Sequence, residues 1–477
     1  MSLSFSATST SCFGARTGSL TLGRPSATLV LSTPGLIVAT SRGVVPHLSR
    51  DQYKRTPAIR CLHVPFESFL EQSPPLPTLQ PGSHPLHTFI GFDPRKHILA
   101  LALRDPADSR ETPANGTDHV SAATERGIKK VTTEQWRTYV RACTPDIVVA
   151  LTDIPWTPPP FSQKRLTKSI ERSAAWLAHL LAPGPQPLNV LVHMAGGISA
   201  PARRAFANSL METLHGQEAG NVLPYRCLDD GVAGYIFDLI PLYCAINAST
   251  DATSSDPPEI AGLLKASLVS TSPAKLRVVN SATSPHEILR LIRDVGVDMF
   301  DSKWAQEAAH FGVAFDFIFP VQKSGSRRDI GHNLYRAQYA HDFSRFADSA
   351  PACLCASCAP VAPPSVIAHS EFDAHSPATS PPAPYTRAYV HHLLQTHEMS
   401  AHALLVMHNL TVLDAFFAGV RGVLQRGENF EEQVDTFAEE YDEGSAIIEE
   451  ARMVWKNVEM ARGKGRLARE RMGQKEI

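Results

Sequence analysis

His97-Ile-Leu-Ala-Leu-Ala-Leu103 is an apolar run of strand length without helical spacing, and four others of its kind follow it. They are Asp146-Ile-Val-Val-Ala-Leu, Leu188-Asn-Val-Leu-Val-His, Gly234-Tyr-Ile-Phe-Asp-Leu-Ile and Lys275-Leu-Arg-Val-Val-Asn. Between them the apolar residues recur at helical spacing, which predicts helices over 133–142, 164–181, 202–215 and 285–294. Short strands that are nearly continuous in apolar residues belong to a parallel sheet covered on both faces. Repeated over this length, the pattern predicts an α/β fold, a (β/α)8 TIM barrel. An open doubly wound sheet is the alternative, but no Gly-rich phosphate loop follows the first strand.

Composition fits a large core. The 477 residues are 43% hydrophobic and 19% charged, with a net charge of −2. No global basic field therefore recruits nucleic acid, and any such surface must be local. No uninterrupted apolar run of 18 residues appears, so no membrane span is expected. The first 50 residues lack Asp and Glu but hold Arg16, Arg24, Arg42 and Arg50 among Ser and Thr, a composition shared by mitochondrial transit peptides. Within them, however, Ser19-Leu-Thr-Leu and Ala27-Thr-Leu-Val-Leu-Ser-Thr alternate and are bounded by Gly18, Gly23 and Pro25, which predicts antiparallel strands instead.

The expected organisation is an N-terminal strand segment over 1–50, the barrel over 51–345, a helical subdomain over 346–427 and a helical tail over 428–477. Residues 359–384 hold seven prolines with Ser and Ala between them, and are expected to be a mobile loop. Residues 428–450 carry ten acids and no base, whereas 452–477 carry eight bases and three acids. That basic run is a candidate phosphate contact, and equally an ordinary solvated face.

Cys353-Leu-Cys355-Ala-Ser-Cys358 concentrates three of the eight cysteines in six residues. Three thiolates so close cannot all bridge one another, but a tight turn can aim them at one zinc ion. The other five (Cys12, Cys61, Cys143, Cys227 and Cys244) read as reduced and mostly buried thiols of an intracellular protein. A closed site needs a fourth donor, and His369, His375, His391, His392, His397, His402 and His408 are all candidates. Four protein ligands make a zinc structural, since no position stays open for water. Without the 26-residue Pro-rich stretch, Cys358 and His408 stand 24 residues apart, a distance that a returning helix spans.

Gly296-Val-Asp298-Met-Phe-Asp301 puts carboxylates where a barrel strand ends, the place where such barrels keep their chemistry. A carboxylate there is a candidate nucleophile toward a sugar carbon. Asp298, Asp301 and Asp153 also suit helix caps or ordinary loop carboxylates.

These residues resemble one family, the queuine tRNA-ribosyltransferases, or tRNA-guanine transglycosylases. Cys353, Cys355 and Cys358 match its Cys-x-Cys-x-x-Cys triplet. Tyr385-Thr-Arg-Ala-Tyr-Val-His-His-Leu-Leu, Glu398-Met and Leu404-Leu-Val-Met-His408-Asn match the segment that ends in its zinc histidine. The resemblance implies an irregular (β/α)8 TIM barrel with a zinc subdomain, one structural Zn2+ per chain, and His408 as fourth ligand. Weaker likeness runs through Ala15-Arg-Thr-Gly, Ser32-Thr-Pro-Gly, Gly127-Ile-Lys and Gly296-Val-Asp-Met-Phe-Asp301.

Such enzymes exchange guanine for queuine at the wobble position of tRNAs with GUN anticodons, and Asp301 matches the nucleophile's place. The rest of the active-site pattern is broken. Leu101-Ala-Leu-Arg-Asp-Pro-Ala-Asp-Ser-Arg stands where the family has Ser-Gly-Gly-Phe-Gln. Gly234-Tyr-Ile-Phe-Asp replaces the Gly-Gly-Leu wall, His193-Met-Ala-Gly the glutamine-glycine pair, and Ser302-Lys-Trp the Pro-Thr-Arg after the nucleophile. An intact metal motif beside a dismantled base pocket is similar to the family's non-catalytic accessory subunits, as is Ser41-Arg-Gly-Val-Val-Pro-His47-Leu-Ser. That likeness implies no catalytic residue here, with Asp301 vestigial. It also implies a heterodimer with a catalytic subunit, tRNA as shared substrate, and a cytoplasmic place, free or peripheral on the mitochondrial outer membrane. A divergent, active transglycosylase using Asp301 is the alternative. A zinc deaminase is a poorer match, for the chain lacks His-x-Glu and Pro-Cys-x-x-Cys.

Overall fold

The computed structural model describes residues 2–9, 11–154, 161–250, 259–349, 351–359 and 384–461. The expected Pro-rich loop, apart from its two end residues, lies outside the described residues. So do His369, His375 and the densest part of the basic run, 462–477. The chain packs as two compact units. The first comprises Met1–Val45, Ile59–Lys303 and Val420–Glu431, and the second Pro46–Ala58, Trp304–Gly419 and Glu432–Ile477.

In the first unit, β1 (Ser2–Ala7), β2 (Gly18–Arg24) and β3 (Ala27–Thr33) form an antiparallel sheet. The chain continues into β4 (Gly35–Ala39), β5 (Cys61–Pro65) and β6 (Ile98–Ala102). A hairpin of β7 (His119–Thr124) and β8 (Gly127–Thr132) precedes β9 (Ile147–Val149). Then come β10 (Val190–His193), β11 (Val232–Asp238), β12 (Leu276–Asn280) and β13 (Met299–Asp301). Strands β4, β5, β6, β9, β10, β11, β12 and β13 close in that order, every neighbour parallel. Closure excludes the open sheet. The five runs singled out in the sequence supply β6, β9, β10, β11 and β12, and Asp301 ends β13 as expected. The four expected helices are observed as Thr133–Cys143, Gln163–Leu181, Ala200–Met211 and Pro285–Val295.

The N-terminal sheet is an integral part of this unit. Leu20, Leu22 and Leu31 join Ile37, Cys61, Ile98, Leu191 and Met299 in one buried cluster. Two of its arginines explain the basic bias of this segment. Arg16 grips Asp298 at 2.9 and 2.6 Å, and Arg24 grips Asp146 at 3.1 and 2.5 Å. Both aspartates are fully buried, and each also accepts a strand amide, from Arg277 or Leu99 at 2.8 Å. A charge so far from water needs such a partner. Gly296 ends the helix Pro285–Val295 in the left-handed region, φ 74°, where a side chain would also strike the Gly14 carbonyl.

In the second unit, β14 (Val313–Phe315) pairs antiparallel with β15 (Gly331–Asn333). The helices Arg387–Gln395 and Ser445–Ala461 belong to it, with Met399–Arg426 up to Gly419 and Phe430–Glu440 from Glu432 on. Phe315, Phe317, Phe319, Phe416 and Phe437 form its aromatic core, and Trp304 stacks on Phe315 at 4.3 Å. Among the described residues, Met399–Arg426 is the one helix long and apolar enough to cross a membrane. Most of that stretch is buried within the protein, so the core itself accounts for its apolar character.

Candidate functional site: a metal centre and a packed barrel mouth

The helix Met399–Arg426 carries His408 and Asn409 at its middle, both wholly buried. His408 Nε2 donates to the Phe315 carbonyl at 2.8 Å, which leaves Nδ1 as the free lone pair. Asn409 takes the other group of the same residue: its Oδ1 accepts the Phe315 amide at 2.9 Å. Its Nδ2 donates to the carbonyls of Val313 and Ala305 at 3.0 and 3.1 Å. The two side chains thus fix β14 to the helix and aim one imidazole nitrogen at the cysteine loop.

That nitrogen lies 3.5, 3.6 and 3.4 Å from the sulfurs of Cys353, Cys355 and Cys358. A tetrahedral zinc with Zn–S of about 2.3 Å and Zn–N of about 2.0–2.1 Å sets sulfur and nitrogen ~3.5 Å apart. The donor set and its spacing therefore fit a metal ion, and all four donor atoms lie within 4.8 Å of one another. The turn that presents them is tied down locally. The Cys358 amide donates to Cys355 Sγ at 3.2 Å, and the Ser357 hydroxyl to the Leu404 carbonyl at 2.9 Å. Phe346 sets its edge against the His408 ring. Of the other histidines, His391 is bound to the Leu334 carbonyl and His402 to that of Ala309.

A second convergent set, Asp316, His332 and Asp348, already has its cation. Arg387 reaches His332 at 2.7 Å and Asp348 at 2.8 Å, and donates to the Phe346 carbonyl. This network supports the aromatic ring beside His408 rather than a second metal.

The barrel mouth is a different matter. Asp301 ends β13 only 4% exposed, and burial, aided by the charge of Asp238, pushes its carboxyl up to about 7. The amides of Ser281 and Lys303 pull the other way. Asp238, at the end of β11, is gripped by His193 Nε2 at 2.9 Å and Asn280 Nδ2 at 2.8 Å. Burial works to raise it, but His193, Asn280 and His63 together hold it below the usual carboxylate range. Asp153 takes both ends of Arg165 at 2.8 Å, with Arg172 at 3.1 Å and Asn115 at 2.9 Å. Asp153 and Asp298 are therefore structural carboxylates.

The substituted residues fill the mouth. Met194, Phe237 and Leu239 are no more than 2% exposed. Two cavities at this end, of 30 and 60 Å3, are lined by both His193 and Asp238. Each holds a few waters at most, where small-molecule pockets run to about 300–1,000 Å3. Asp301 lines neither of them. The sequence did not show that His193 and Asp238, which replace base-binding groups, would pair with each other. Their positions at the ends of adjacent strands were the available signal.

Compared with known families, residues 11–443 match the family described as queuine tRNA-ribosyltransferase. The chain is similar to "Queuine tRNA-ribosyltransferase accessory subunit 2" of Schizosaccharomyces pombe, 27% identical over 431 residues, covering 90% of this chain and 82% of that one. It is likewise similar to proteins of that name from Aedes aegypti, 25% identical with 88% of each chain covered, and Drosophila persimilis, 25% identical with 83% of each covered.

Proposed function

Because this chain belongs to the queuine tRNA-ribosyltransferase family, we propose that it is the non-catalytic accessory subunit of a heterodimeric tRNA-guanine transglycosylase. The observation that carries this reading is the packed barrel mouth. The cavities beside His193 and Asp238, of 30 and 60 Å3, admit no purine, and the carboxyl in the nucleophile's place is buried and pushed up to about 7. An attacking carboxylate must be ionised and within reach of the sugar carbon. In this reading a catalytic partner performs the exchange on tRNA, and this chain supports it. Cys353, Cys355, Cys358 and His408 hold one zinc ion, which contributes folding free energy and leaves no open position for chemistry.

The test is exchange of labelled guanine into tRNA. The chain alone should give no incorporation, and addition of the catalytic partner should restore it whether or not Asp301 is changed to Ala. Incorporation by the isolated chain that vanishes in Asp301→Ala would instead establish a divergent active enzyme.

A further inference from the structure

Strand β3 (Ala27–Thr33) lies at one edge of the N-terminal sheet, paired with β2 on its inner side. In an antiparallel sheet alternate residues turn amide and carbonyl toward one neighbour, and the residues between them turn the other way. The parity here is fixed by the Thr8 amide, which donates to the Thr17 carbonyl at 2.9 Å. Thr17 thus faces β1, so Gly18, Leu20 and Leu22 face β3, where they pair with Thr33, Leu31 and Leu29. Thr28, Val30 and Ser32 are left pointing away from the sheet. Their backbone groups have no hydrogen-bond partner among the described residues, and all three side chains are exposed, Val30 by 55%.

Proteins protect such an edge with lysine, proline, a bulge or a covering segment. The opposite edge is covered in this way, for the Leu3 amide of β1 donates to Asn189 Oδ1 at 3.3 Å. Strand β3 has no charged residue and no proline, and its register with β2 runs unbroken over seven pairs. An edge kept open for backbone pairing receives another strand.

Which strand it receives follows from the order of its own residues. About Val30 the sequence reads alike in both directions, Leu29 answering Leu31 and Thr28 answering Ser32. An isologous two-fold contact requires such symmetry, because each residue meets its counterpart across the axis. When β3 is laid antiparallel on a second β3 with Val30 on the axis, the outward-facing residues come into register. The two Val30 residues exchange amide and carbonyl, and Thr28 does the same with Ser32 of the second copy. Hydroxyl side chains then stand opposite hydroxyls, and no like charges meet.

We propose that β3 is a homotypic docking edge, through which two copies of this chain pair antiparallel about Val30 and join their N-terminal sheets into one. With the accessory role proposed above, the product would be a pair of heterodimers.

Sedimentation of the full chain, alone and with the catalytic subunit, tests this. Val30→Lys sets two ammonium groups face to face on the axis at an exposed position. It should halve the mass of the assembly at micromolar concentration and leave pairing with the catalytic subunit unchanged. Val30→Cys should be joined to its own counterpart by a short bismaleimide, while Val44→Cys, exposed to a similar 54%, should not. Both are read against the wild type, whose Cys12 and Cys244 are exposed. A mass that Val30→Lys leaves unchanged, or cross-linking at Val30 no better than at Val44, would overturn the proposal. So would loss of the catalytic subunit from Val30→Lys, which would assign the edge to that partner instead of a second copy.

Discussion

Asp301 ends a barrel strand with its carboxyl out of water and close to the charge of Asp238, and burial above all pushes it up to about 7. The folded chain therefore keeps a proton that the unfolded chain releases between about pH 4 and pH 7, so stability falls as pH rises through that window. Asp301→Asn removes the ionisation. Urea unfolding should show it stabilised at pH 8, by a margin on the order of 2 kcal/mol, and little changed at pH 4.5. Exchange by the heterodimer should be unaffected. A variant that is less stable at pH 8 would mean that the charged carboxylate is the form the fold uses. The three aspartates singled out in the sequence could not be told apart there. What separates them is the partner: Arg16 comes to Asp298 from 282 residues away, while Arg165 and Arg172 reach Asp153 from the helix Gln163–Leu181. Asp301 is set apart by what does not reach it, and a single sequence does not display that.

Phe315 is held at both backbone groups by adjacent residues of one helix, His408 and Asn409. Asn409→Ala would leave an amide and two carbonyls buried without it, at about 1–3 kcal/mol for each group. Loss of several kcal/mol in thermal or urea unfolding is the expected result; a change under 1 kcal/mol would show that these bonds are replaced. Cys355→Ser should release the proposed zinc and weaken pairing with the catalytic subunit. Elemental analysis and co-purification measure the two effects, and zinc retained in stoichiometric amount would refute the ligand set. The cysteine triplet was legible because three soft donors in six residues serve few purposes. The strand that anchors His408 was not, because Val313–Phe315 is three residues long and is held by Asn409, 94 residues on. Strands β4 and β5 escaped for a related reason. Gly35-Leu-Ile-Val-Ala and Cys61-Leu-His-Val-Pro are five-residue runs with no helix between them of the usual crossover size.

The barrel as a whole was recognisable from the alternation of β12-like runs with amphipathic helices, since periodicity survives wherever an element buries one face. Its filled mouth was visible only as broken motifs, and how the bulky replacements pack is a matter of volume that no linear pattern carries. The same limit applies to the 24 residues 360–383, whose composition says little about their surroundings. Their ends are better defined. The Ala359 amide donates to the Cys355 carbonyl at 2.8 Å, and the Tyr385 amide donates to the Ser357 carbonyl at 3.1 Å. The excursion thus leaves and rejoins the chain at one doorway, and its length is free to vary, for each doubling of a loop costs only about 0.6 kcal/mol in closure entropy. Replacing 360–383 by a short glycine–serine bridge should leave metal content and exchange unchanged. By the same logic a fluorescent domain spliced into that doorway would ride on the protein as a passenger, reporting where the molecule travels without loosening the four donors beside it.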